Sequence, residues 1–262
     1  MSQPVFARPV LCALALLVAP LASAQPDPKS LAQAEFDRAS QLTPDIENGR
    51  RVYLTCAVCH RPEGWGSPDG AYPQIAGQLP EVVIKQLADI RAGNRDNPLM
   101  YPFALPRILG GPQNIADVAA YVATLPMTAD NARGPGVDLD LGRELYEAQC
   151  AECHGAEGEG DVGRLAPQLA GQHFPYLMRQ FEAIATGRRR NSDAEMTKLL
   201  AQFGPREQAA VLDYSSRLPL PPEKVAPAEW FNPDFPAYVR EPLGMAPPPP
   251  PPPPPPLPLP PR

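Results

Sequence analysis

Two stretches of this chain repeat one another. Cys56-Ala57-Val58-Cys59-His60 returns as Cys150-Ala151-Glu152-Cys153-His154, and Pro73-Gln74-Ile75-Ala76-Gly77-Gln78 returns as Pro167-Gln168-Leu169-Ala170-Gly171-Gln172, both at an offset of 94 residues. Gln86-Leu87 is answered by Gln180-Phe181 and Gly93 by Gly187 at the same offset. Gly49-x-x-x-Tyr53 is answered by Gly142-x-x-x-Tyr146, and Tyr121 to Pro126 by Tyr214 to Pro219, one residue shorter. A chain built this way folds as two tandem copies of one unit, at residues 45–126 and 137–219. Met127 to Gly136, with its Gly, Pro and Asn, reads as the linker. Residues 25–44 form an N-terminal extension and 220–262 a tail.

Each copy reads as helical. Pro44-Asp45 offers an N-cap for a helix that runs into the first Cys pair. After Pro80, Val83, Leu87 and Ile90 fall at helical spacing, and Tyr176, Leu177, Phe181 and Ile184 do so in the second copy. Val118 with Tyr121, and Val211 with Tyr214, mark a closing helix. Runs with period-two alternation of β-branched and aromatic residues are missing, so a sandwich or barrel is excluded and the expected class is all-α. Of the 39 prolines, 20 lie between Pro219 and Arg262. Ten of those are consecutive, Pro247 to Pro256, a polyproline II rod of about 30 Å. Trp230 to Tyr238 has enough aromatic residues to pack weakly on the globular part.

The N-terminus reads as an export signal: Arg8, an apolar core from Val10 to Leu21, and Ala22-Ser23-Ala24 as a cleavage site, so that residues 1–24 would be removed. The apolar run is shorter than the roughly 20 residues of a membrane span. Export points to an oxidising compartment. Cys12 leaves with the signal, and the remaining four cysteines all sit in the two C-x-x-C-H motifs. Two disulfides give no reason for a histidine after each pair. A thioredoxin-like pair wants a βαβ context, and a four-thiolate zinc site would draw on loops more than 90 residues apart. C-x-x-C-H is the attachment signature of c-type haem. Two thiols on one helical turn reach the two vinyl groups of a porphyrin, and the next imidazole faces the iron. Cys56, Cys59, Cys150 and Cys153 are thus expected to hold two haem c groups covalently, with His60 and His154 as iron ligands.

Counting constrains the opposite ligand. His173 is the sole spare histidine, so two bis-histidine sites are excluded, and no cysteine is left over. Met127 and Met245 fall in the linker and tail, and Met178 within a helix. Met100 and Met196 remain, each after the glycine that ends the second helix of its copy, and they are the expected axial ligands. His/Met ligation closes the coordination sphere and raises the potential, the design of an electron carrier and not of an enzyme.

The paired C-x-x-C-H motifs, each followed by P-x-φ-A-G-Q and then by G-x-R and a methionine, resemble the dihaem cytochrome c4 family over residues 45–219. The resemblance implies two class I cytochrome c domains in the bacterial periplasm, passing electrons between respiratory complexes. It also implies that the carbonyls of Pro73 and Pro167 accept from Nδ1–H of His60 and His154. Gly49 and Tyr53 would meet Val118 and Tyr121 where the first and last helices cross, as Gly142 and Tyr146 would meet Val211 and Tyr214. Arg61 departs from the family's glycine, which Gly155 keeps. Trp65 is expected against the porphyrin edge. The tail has no counterpart in the family pattern.

A net charge of −6 argues against nucleic acid as partner. Residues 45–126 carry 7 basic and 8 acidic side chains and residues 137–219 carry 9 and 13, a dipole that can orient the molecule on a redox partner. Arg188, Arg189 and Arg190 are expected in solvent, or on a haem propionate or an acidic partner. The expected function is single-electron transfer between periplasmic redox proteins: a membrane respiratory complex, a terminal oxidase or a periplasmic dehydrogenase. Peripheral membrane association is compatible with this. The alternatives are a cytochrome subunit of a dehydrogenase or oxidase complex and a dihaem peroxidase.

Overall fold

The structure, a computed structural model, describes residues 27–235. The expected signal peptide, Met245 and the polyproline run lie outside the described residues. Within them the chain forms α1 (Pro28–Ser40), α2 (Ile46–His60), α3 (Pro80–Arg91), α4 (Tyr101–Ala104), α5 (Pro106–Leu109), α6 (Pro112–Thr124), α7 (Leu139–Gln149), α8 (Ala151–His154), α9 (Phe174–Ala185), α10 (Ala194–Leu200) and α11 (Pro205–Ser215). Among the described residues there is no strand, only the isolated bridges Met127–Val225 and Asp161–Ala166. The architecture is all-α.

Asp45 caps α2, its carboxylate accepting from the Asn48 N–H at 3.1 Å. The corresponding helix of the second copy is broken at Cys150 into α7 and α8. In each copy the first helix crosses the last at a glycine. A Cβ on Gly49 would run into the carbonyl of Asp117 and the Cβ of Tyr121; one on Gly142 would run into the carbonyl of Ala210 and the Cβ of Tyr214. The tyrosine one turn on from each glycine then stacks obliquely on its counterpart, Tyr53 on Tyr121 (5.2 Å) and Tyr146 on Tyr214 (5.7 Å). Tyr53 and Tyr146 are fully buried, at the centres of the two cores.

The two copies meet through the same residues from both sides. The Gln74 N–H donates to Gln172 Oε1 (3.0 Å) while Gln172 Nε2 donates to the Gln74 carbonyl (2.9 Å). The Gln168 N–H donates to Gln78 Oε1 (3.0 Å) while Gln78 Nε2 donates to the Gln168 carbonyl (3.1 Å). Gln74 corresponds to Gln168 and Gln78 to Gln172, so exchanging the copies maps this set onto itself. The linker is woven into the seam: buried Asn131 donates to the carbonyls of Gln172 and Ser216. His173, 2% exposed, pins it further, its Nε2–H donating to the Trp65 carbonyl (2.7 Å) and its Nδ1 accepting from the Ala132 N–H (3.1 Å). Burial holds its imidazole below the ordinary range, against the opposing pull of that carbonyl.

Both terminal segments pack on the first copy. Helix α1 lies against α3 and α6. Its start is marked by Asp27, which accepts from Ser30, and by Pro28. It buries only Ala32, Glu35 and Ala39, too sparse an apolar stripe to announce a packed helix. The tail packs far more firmly than the weak contact expected. Phe235 is 5% exposed inside the first core and Asn232 is 1% exposed. Asn232 Nδ2 donates to the Pro62 carbonyl (2.7 Å) and the Tyr121 hydroxyl (3.0 Å), and that hydroxyl donates to Asp234 (2.8 Å).

Candidate functional site

The last turns of α2 bring Cys56, Cys59 and His60 to the wall of a cavity of about 250 Å³ that opens to solvent. Met100, Leu87 and Phe103 line the same cavity, so two thiols, an imidazole and a thioether share one largely apolar chamber. Burial pushes the Cys56 thiol up to about 12 and the Cys150 thiol up to about 11. Among the described residues no three His, Cys, Asp or Glu side chains gather as a metal cluster, and the four described cysteines are unpaired. The donor set and the apolar lining fit a covalently held porphyrin.

Behind each histidine the expected carbonyl is in place. Nδ1–H of His60 donates to Pro73 O at 3.1 Å and Nδ1–H of His154 to Pro167 O at 2.9 Å. A carbonyl only accepts, so both rings carry their proton on Nδ1, and Nε2 keeps its lone pair for a metal. In the second copy Cys150, Met178 and Met196 are half-buried against the core around Tyr146, Leu177 and Phe181. Met196 lies on α10, whose cap Asp193 accepts from the N–H groups of Glu195 (2.8 Å) and Met196 (3.0 Å).

The residue after each histidine turns the chain with a positive φ. Gly155 does so at φ 83° and ψ 155°, and Arg61 at φ 69° and ψ 158°. This region is essentially reserved for glycine. Tyr53 Oη donates to the Arg61 carbonyl (2.8 Å), as Tyr146 Oη does to that of Gly155 (2.7 Å), and holds the strained turn. Arg61→Gly is therefore expected to stabilise the protein by about 1 kcal/mol, the relieved strain less glycine's extra chain entropy. Chemical denaturation of the holoprotein measures it, and a destabilised variant would show that the arginine side chain outweighs its backbone.

Trp65 is half-buried against the first core. Its Nε1–H donates to the Pro126 carbonyl (2.9 Å) and its ring packs on Trp230 (5.8 Å), so it joins the end of the first copy to the tail. Arg189 is also not in solvent. It donates to Gln180 of its own copy (2.8 Å) and, across the seam, to Gln86 (3.0 Å), opposite its repeat counterpart Arg95, which donates to Gln86, Gln180 and Tyr176. Burial, and then Arg95, push the Arg189 guanidinium down to about 9. Arg190 donates to the Gly93 carbonyl and Arg188 to Glu182. Lys85 is nearby and shares Asp89 with Asn191, so the seam gathers more positive charge than its one aspartate balances. Such a place suits carboxylates like those of a porphyrin.

The sequence model of the cytochrome c family matches residues 46–126 and 139–214. The chain is 33% identical to the thiosulfate dehydrogenase electron acceptor of Stutzerimonas stutzeri, over 64% of this chain and 84% of that one. It is 34% identical to cytochrome c4 of Thiocapsa roseopersicina, over 61% of this chain and 84% of that one. Reduced cytochrome c4 from Pseudomonas stutzeri superposes with a TM-score of 0.59 at 25% identity, covering 67% of this chain and all of that one. The thiosulfate dehydrogenase TsdBA of Marichromatium purpuratum also gives 0.59, at 35% identity, with the chain spanning 40% of its length. The duplicated fold, the paired attachment motifs and these likenesses agree: the chain belongs to the cytochrome c4 family, electron-transfer proteins with two covalently bound haem c groups.

Proposed function

We propose that this chain carries single electrons between periplasmic redox proteins through two closed sites, ligated by His60 with Met100 and by His154 with Met196. The observation that supports it most is that Met100 faces the same cavity as Cys56, Cys59 and His60. Bound haem supplies the one-electron chemistry. The protein's part is to fix the two imidazoles through Pro73 and Pro167, to fill the opposite ligand position with a thioether, and to keep water from the apolar wall. A filled position leaves no place for a substrate, which argues against a peroxidase. Buried Arg95 and half-buried Arg189 are read as counter-charges to the propionates. Export to the periplasm rests on Arg8, the apolar run from Val10 to Leu21 and Ala22-Ser23-Ala24.

A second reading is favoured by the relative described as a thiosulfate dehydrogenase electron acceptor: the electron donor is a periplasmic dehydrogenase, with the chain as its cytochrome partner. The acidic second copy, with Asp140, Glu152 and Glu195 exposed, would steer it to a basic surface.

The test is spectroscopy of the holoprotein, with haem counted against protein and carbon monoxide added after reduction. Two low-spin haems, a far-red methionine-to-ferric band from both sites and no carbon monoxide uptake are expected. A high-spin haem that takes up carbon monoxide would overturn the double-methionine assignment. Co-purification with a larger redox enzyme would favour the second reading.

A further inference from the structure

The two copies hold their methionine segments by different means. In the second, Met196 sits on the single helix α10, capped by Asp193 and anchored by buried Leu200. In the first, the segment forms two separate four-residue helices, α4 and α5, with Pro102 and Pro106 in their first turns, and these are too short to persist on their own hydrogen bonds. Leu99, Tyr101 and Phe103 on that segment are exposed. It is held from outside by Arg91, at the end of α3. Arg91 Nε donates to the Ala104 carbonyl (2.6 Å) and Nη2 to the Gly110 carbonyl (2.8 Å), so one planar guanidinium ties the end of α4 to the cap of α5. Its remaining nitrogen, Nη1, pairs with Glu35 of α1. The two side chains are only 11% and 12% exposed. In the second copy the position of Arg91 is Ala185, and α1 has no counterpart.

We propose that Glu35 and Arg91 form a clamp by which α1 positions the Met100 segment and sets how firmly the first site, and only the first, keeps its methionine. This rests on the reading of Met100 as a ligand. Without the Glu35 charge, Arg91 is a nearly buried cation lacking its paired anion, and its fork is free to turn toward water. The carbonyls of Ala104 and Gly110 then lose their shared donor, and the short helices flanking the cavity loosen. Both residues are positioning residues, since neither faces the cavity.

The test uses the full-length holoprotein and its Glu35→Gln and Arg91→Lys variants. Ferric protein is titrated with imidazole while the far-red methionine band is followed, and both haem potentials are measured by redox titration. In Glu35→Gln, half of the band should yield to imidazole at a concentration lower by about tenfold or more, the scale on which groups behind a ligand act. One potential should fall and the other stay. Arg91→Lys keeps the charge but loses the fork, and should fall in the same direction. Unchanged imidazole affinity and potentials in both variants would overturn the clamp, and so would equal weakening at both sites. The Met100 assignment fails separately if Met100→Ala leaves the methionine bands of both haems unchanged.

Discussion

Alanine at Phe235 is expected to destabilise the protein by about 4 kcal/mol, the usual cost of emptying a buried phenylalanine site. The ring lies edge-on to Tyr53 at 5.9 Å, and Tyr53 is the side chain around which α2 and α6 cross. Removing it would leave a void beside that crossing. The next links along the tail, Asn232 and Asp234, would lose the anchor that holds them on Tyr121 and on the loop after His60. Denaturant unfolding of the holoprotein, followed at the haem absorbance, measures the change. A loss of less than about 0.5 kcal/mol, the range of surface substitutions, would show that the tail only rests on the first domain. The other outcome makes residues 227–235 part of that domain's core.

Alanine at Gly142, or at Gly49, is expected to cost about 3 kcal/mol although it improves the helix. In an open helix, glycine to alanine gains about 1 kcal/mol, so the sign of the effect is decisive. Each glycine faces a backbone carbonyl of the crossing helix, Ala210 or Asp117, and a carbonyl cannot swing aside as a flexible side chain can. The added methyl must push the helices apart, spreading the tyrosine stack and loosening the core. Calorimetry should show a lowered melting temperature for either variant. A raised melting temperature would mean that the helices separate without penalty and that the close approach contributes nothing.

The residues of the haem motifs and their crossing helices were legible because their signals are local or repeated. C-x-x-C-H lies on one helical turn, and Gly49 with Tyr53 announces one face by its spacing. The carbonyls of Pro73 and Pro167 came only through family resemblance, since nothing in a proline shows which ring it will face. What escaped was non-local. Arg189 reads as an exposed charge until its copy Arg95 is placed across the seam. Nothing near Trp65 in the sequence announces its contact with Trp230, far along the chain. Glu35 is invisible as a core position because a carboxylate is buried only when a partner such as Arg91 is already there. Helix α1 and the tail were left as appendages for the same reason: the surface that orders them belongs to another part of the chain.

The crossed glutamines have one further consequence, which concerns assembly. In symmetry terms the molecule is an isologous dimer whose two protomers share one backbone. Gln74 with Gln172 and Gln78 with Gln168 form a self-complementary patch that closes on itself within a single chain. A second molecule finds no vacant copy of that patch to join, and dilution does not part the halves, because the linker keeps each at high effective concentration for the other. The pairing of the two redox centres is thus written into the chain and survives any dilution of the protein.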